Sequence, residues 1–166
     1  MHPIVIAALV LTGPSGLRQQ PVTDINWRHH PTIVEVRALV AVIDSTVGHG
    51  RLIQRTDSAV CDGGRVHLTA HLLTDSAGRT RKYVLVGGSD DSAGDATYYY
   101  DAKGYLRFIF ARTNAVNGTR REDRIYFDST GTQVFANHRQ LRGPGYAGGF
   151  GEPIRDPKAD FHSLCG

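Results

Sequence analysis

No apolar run in the 166 residues reaches the ~20 needed to cross a bilayer as a helix, so the sequence offers no membrane-spanning helix. Basic clusters are also missing. Lys and Arg number 19 against 16 Asp and Glu, a formal net charge of +3, and they are scattered, which argues against nucleic acid as a partner. There is no CxxC pair for a zinc knuckle, no GxSxG nucleophile elbow and no HExxH metalloprotease helix. The many glycines lack the strand, loop and helix context of a phosphate-binding loop. No catalytic residue, metal or cofactor is therefore assigned, although catalytic groups scattered along a chain would leave no motif.

What is present begins with "MHPIVIAALVLTGPSGLRQQ". Its apolar run from Ile4 to Leu11, followed by small residues and then Arg18, Gln19 and Gln20, reads residues 1–20 as a secretory signal or, failing that, an apolar arm. Residues 21–166 are long enough to form a single domain that buries roughly two-thirds of its unfolded surface. In an exported, secreted or periplasmic chain, the two cysteines, Cys61 and Cys165, are expected to pair; kept in a reducing compartment they would be free thiols. The bridge would tie the Gly-rich tail to the domain.

After the linker-like "RQQPVTDINWRHHPT", Ile33, Val36, Val40, Ile43 and Val47 recur at steps of three and four, which predicts a helix over Pro31 to Val47. Pro31 suits its first turn, and Gly48 and Gly50 supply the stop. Beyond Gly64 a repeat appears. Asp75-Ser-Ala-Gly78, Asp101-Ala-Lys-Gly104 and Asp128-Ser-Thr-Gly131 share the form DxxG at intervals of 26 and 27 residues. An Asp that accepts backbone amides and a Gly at positive φ make a hairpin turn, so these aspartates are turn formers. Around them lie six expected strands: Arg65 to Leu73, Thr80 to Val86, Ala96 to Tyr100, Tyr105 to Thr113, Arg121 to Phe127 and Thr132 to Leu141. The predicted fold is α+β, one helix packed on an antiparallel meander with the three DxxG turns at one end.

Alternation along the strands sorts the side chains. Val66, Leu68, Ala70 and Leu72, with Leu106, Phe108, Phe110, Ile125 and Phe127, form the expected core face beneath the helix. The outward face is expected to collect His67, His71, Tyr105, Arg107, Arg124 and Tyr126, with Tyr98 or Tyr99, which are residue types enriched at protein interfaces. The plainer reading is a solvated face, or one covered by the tail.

His67 and His71 stand roughly 13 Å apart along one strand at ~3.3 Å per residue, too far to share a metal. Asp90, Asp91 and Asp95 in "GGSDDSAGDA" could hold calcium, but they lack the terminal Glu of a calcium loop, and charge pairing with Arg120, Arg121 and Arg124 explains them more simply. The tail from Leu141 should wrap as irregular chain with Tyr146 and Phe150 as anchors.

In layout, a helix followed by an antiparallel meander, residues 30–141 resemble the beta-lactamase-inhibitor-like proteins, and "YYYDAKGYLRFIFARTNAVNGTRREDRIYFDSTG" resembles stretches of exported bacterial proteins. The resemblance implies a non-catalytic inhibitor- or adaptor-like binder of a protein partner. Two alternatives accompany it. One is a small-molecule binder or hydrolase with a pocket between helix and sheet, and the other is a subunit that self-assembles through open edge strands.

Overall fold

The computed structural model describes residues 20–146 and 150–165, so the signal-like run at residues 1–19 lies outside the described residues. The predicted helix is present as α1, Pro31–Gly48. His30 precedes it and caps it: its ring Nδ1 accepts from the Thr32 amide at 3.3 Å, which leaves Nε2 to donate to the Gln20 carbonyl at 2.8 Å. Ile33, Val36 and Ile43 are its buried stripe.

Seven strands follow in chain order and pair as one antiparallel meander. They are β1 (Ile53–Cys61), β2 (Val66–Thr74), β3 (Thr80–Gly88), β4 (Ser92–Tyr100), β5 (Leu106–Ala115), β6 (Arg120–Phe127) and β7 (Gln133–Arg142). The additional strand is β1. Its sequence, IQRTDSAVC, is exposed on both faces for most of its length and so carries no alternation to read.

The three DxxG segments make the same turn. Each aspartate Oδ1 accepts amides two and four residues ahead at 2.8–3.0 Å: Ala77 and Arg79 on Asp75, Lys103 and Tyr105 on Asp101, Thr130 and Thr132 on Asp128. The turn glycines adopt φ of 73°, 89° and 78°, the left-handed region. Immediately after each turn the register slips by one residue, and Arg81, Arg107 and Val134 become bulge residues.

These slips correct one expectation. With Arg107 inserted between them, Leu106 pairs with Tyr100 and Phe108 with Tyr99, so Leu106 and Phe108 face opposite sides of the sheet. The helix consequently packs on the side that carries Tyr126, Phe108 and Phe135, not on the Leu68, Leu72 and Ile125 side. The latter is covered by the tail, whose Phe150, Ile154, Phe161 and Leu164 lie on Leu72, Tyr83, Tyr98, Tyr100, Ile109 and Phe127. Within this otherwise irregular tail Asp156 caps a short helix, α2 (Pro157–His162).

Polar ties hold the tail in place. Tyr83 donates to the Asp160 carboxylate at 2.6 Å and Tyr100 to the Ile154 carbonyl at 2.7 Å. Burial, with the Asp160 carboxylate against it, pushes the Tyr83 phenol up, so it stays a donor. Phe150 lies directly over Gly94, where a Cβ would come within 2.6 Å of its ring, and Tyr146 donates to Asp91 at 3.0 Å. The Cys61–Cys165 disulfide fastens the end of the tail to β1 across 104 residues.

Arg107 secures the other cover. Its side chain is 5% exposed, donates to the Phe127 carbonyl at 3.4 Å and pairs with Asp101 at 3.5 Å and with Glu35 of α1 at 2.8 Å.

Two outcomes follow for stability. Reducing the Cys61–Cys165 bond should lower unfolding free energy by roughly 2–4 kcal/mol, read as an earlier urea midpoint with reductant than without. For Asp128, burial opposes ionisation, but the Thr130 hydroxyl and the Thr132 and Thr130 amides outweigh it and hold its carboxyl below the usual range. Its stabilisation is thus complete above about pH 4 and fades as pH falls through the lowered folded value. Asp128→Ala should cost about 1–2 kcal/mol at pH 7 and show a shallower acid limb in urea titrations at pH 2–5.

Candidate functional site

Cross-strand register arranges the helix-side face in rows that run across the whole sheet. The row nearest the DxxG turns is Gln54, Leu73, Lys82, Tyr99, Phe108, Tyr126 and Phe135. Its four rings form a ladder with centroids 5.8, 4.8 and 6.3 Å apart. Trp27 extends the ladder out of the plane, stacked on Phe135 at 5.4 Å, so the segment before the helix is a packed turn and not a linker. At the other end the Lys82 ammonium lies 5.0 Å from the Tyr99 ring and 2.7 Å from Asp44, which also accepts the Tyr99 hydroxyl.

Between α1 and this ladder lies a cavity of about 280 Å³, lined by Val36, Arg37, Val40, Ala41, Asp44, Phe108 and Tyr126. Its polar groups are already engaged. Asp44 is held by Lys82 and Tyr99, and Arg37 donates to the Arg28 carbonyl at 2.9 Å.

The next two rows are the open part of the face. One runs Thr56, His71, Val84, Thr97, Phe110, Arg124, Asn137, and the other Ser58, Thr69, Val86, Asp95, Arg112, Glu122, Arg139. Over β4 to β7 the second alternates in sign. Arg112 pairs with Asp95 at 3.0 Å, Arg124 with Glu122 at 2.9 Å, and both guanidinium groups approach the Phe110 ring, at 5.8 and 4.8 Å. Over β1 to β3 the surface is aliphatic and hydroxylic, with Val86 42% and Val60 60% exposed. Here Thr56 meets His71 Nδ1 at 2.9 Å, and Ser58 meets Thr69 at 3.1 Å.

The structure brings His67, His71 and Arg124 onto this face. Tyr126 shares the face but is buried beneath α1, and Arg107 is the buried bulge residue. Tyr105 closes the β4–β5 turn beside Gly131 of the next DxxG turn, where its amide shares the Asp101 carboxylate with Arg107. The open rows also contain Val84, Val86, Thr97, Phe110 and Arg112. Val84 and Val86 could be read as a strand's second face, whereas Phe110 and Arg112 reach it only because of the bulge at Arg107.

The aspartates of the β3–β4 loop have local partners. Asp91 accepts from Ser89 and Tyr146, and Asp95, paired with Arg112, belongs to β4; Arg121 pairs with Asp123. Among the described residues no three His, Cys, Asp or Glu side chains gather as a metal site. On the opposite face His138 Nδ1 donates to the buried Asp123 carboxylate at 2.6 Å, an arrangement that orients an imidazole. The Arg121 guanidinium lies 3.2 Å from the same nitrogen and pairs with Asp123, and no hydroxyl or thiol is bonded to the imidazole among the described residues. No protein-family model, curated protein or solved structure matches the chain.

Proposed function

We propose that this is an exported, non-catalytic binding domain of inhibitor or adaptor type that engages a protein partner on the helix-free rows of its sheet. The observation that carries the reading is the register itself. It lines up Thr69, Val84, Val86, Thr97, Phe110 and Arg112 on one continuous surface, with aliphatic, aromatic and guanidinium groups side by side. Arg and aromatic groups beside uncharged contact area suit a protein interface, while the compensated Asp95–Arg112 and Glu122–Arg124 pairs suit orientation more than raw attraction. Export is supported by the signal-like run at the N-terminus and by the disulfide, which favours an oxidising compartment.

The small-molecule alternative is weaker. Its cavity beneath α1 is about 280 Å³, under the ~300 Å³ at which ligand pockets begin, and its charged groups, Asp44 and Arg37, are engaged by Lys82, Tyr99 and the Arg28 carbonyl outside it. Self-assembly would use the free edges of β1 and β7, which the meander leaves unpaired within the described residues.

The test uses a partner recovered with the tagged full chain from its own envelope fraction. Val86→Asp and Thr69→Lys should each weaken that complex at least tenfold in titration calorimetry, while Val42→Asp on the outer side of α1 leaves it unchanged. Equal affinity for Val86→Asp and wild type, or loss confined to Val42→Asp, would place the contact elsewhere.

A further inference from the structure

Where β6 and β7 meet the turn before α1, a pocket of about 440 Å³ is lined by Trp27, Arg28, Arg124, Asn137 and Arg139. Each wall is held by a separate piece of the fold. Arg124 and Asn137 are cross-strand neighbours, Arg139 is two residues further along the same face of β7, and Trp27 is fixed by stacking on Phe135. Arg28 is positioned through its carbonyl, which accepts from Arg37, and the Arg37 guanidinium lies 5.0 Å over the indole.

The charge here is unbalanced. Of the four arginines Arg28, Arg37, Arg124 and Arg139, Arg124 alone has a carboxylate within ion-pair distance among the described residues, that of Glu122. Three guanidinium groups line the pocket, with that of Arg37 over the indole, against one carboxylate, in a chain whose whole net charge is only +3. An arrangement of this kind attracts an anion, and planar guanidinium forks beside an amide donor, Asn137, match the paired oxygens of a carboxylate or a phosphate.

We infer that this pocket receives the carboxylate of an acidic segment on the partner protein, which deepens and rests on the reading of the adjoining rows as a protein-binding surface. Two features favour an acidic peptide over a nucleic acid. The Trp27 indole is stacked on Phe135 and already carries two guanidinium groups, Arg37 at 5.0 Å and Arg28 at 5.7 Å from its centroid, so it is a poor platform for a base. Arg124 of the pocket and the next cation along the sheet, Arg112, are matched by Glu122 and Asp95, so no continuous basic track follows a phosphate backbone. The pocket is a single cationic anchor point beside a charge-compensated surface.

Trp27 is the chain's one tryptophan, which makes its emission a direct readout of the pocket. The probes are an acetylated, amidated tetraglutamate peptide, its all-glutamine counterpart, inorganic phosphate and a single-stranded 15-mer DNA, each titrated into the full chain at low salt. Tetraglutamate should change the Trp27 emission saturably and weaken as salt is raised. The all-glutamine peptide should give no change. The Arg28→Gln, Arg139→Gln double variant, altered at two exposed positions, should bind tetraglutamate at least tenfold more weakly while keeping the wild-type circular dichroism spectrum. Absence of saturable tetraglutamate binding, equal binding by the double variant, or tighter binding of phosphate or DNA would each overturn the inference. Val86→Asp separates the two levels. If it loses the partner but retains tetraglutamate both readings stand, and if the partner still requires Val86 while tetraglutamate fails to bind, the surface stands and the pocket falls.

Discussion

The architecture depends on how the chain reverses at one end of the sheet. Each DxxG turn places a carboxylate where it accepts two amides, and each is followed by one inserted residue that shifts the alternation of the strand leaving it. Because side chains alternate with a period of two, a single insertion exchanges the two faces for everything downstream. The apolar residues of β5 are divided in this way. Leu106 and Ile109 pack beneath the tail, while Phe108 and Phe110 join the helix side. Without the insertions one face of the sheet would be densely apolar and the other polar, and a single cover would suffice. With them both faces need one, and the chain supplies α1 for the first and residues 150–165 for the second.

The inserted positions repeat more than their geometry. Arg81 and Arg107 occupy the same place, three residues after the turn glycine. Each directs its Nε to the carbonyl that ends the adjacent following strand, Tyr100 of β4 for Arg81 and Phe127 of β6 for Arg107, and a terminal nitrogen to the aspartate of its own turn. In the third copy the position holds Val134, and Arg155 from the tail donates to the Gly131 carbonyl. The repeat in the sequence is therefore longer than DxxG. Two of its three copies extend to DxxGxxR, with the arginine bridging turn and neighbouring strand. Burying such a cation is costly unless its donors are satisfied, and Arg107 meets that requirement with Glu35, Asp101 and a carbonyl.

Much of the fold was legible because its signals are local. The three-and-four spacing from Ile33 to Val47, the DxxG turns and the alternation within β2 each depend on neighbours in sequence. The disulfide followed from composition and expected compartment. What escaped was non-local. β1 is an exposed edge strand with no periodic pattern, and the side on which the helix packs is decided by bulges that a count of alternating residues cannot register. The candidate surface suffered accordingly. His67, His71 and Arg124 share one face, as the alternation predicts, although Arg124 lies four strands from the histidines, whereas Arg107 and Tyr126 go to the interior and Tyr105 to a turn. The arginines around Trp27 come from three parts of the chain, and nothing in any one part marks their convergence.

The link between Cys61 and Cys165 has a temporal side. A ribosome adding ~5–20 residues per second needs roughly 5–20 seconds to pass from one cysteine to the other, and until residues 150–165 emerge the face carrying Tyr83, Tyr98 and Tyr100 has no lid. The oxidation requires Cys165 to reach Cys61, so it comes after residues 150–165 are delivered to that face of the sheet and latches the lid in place.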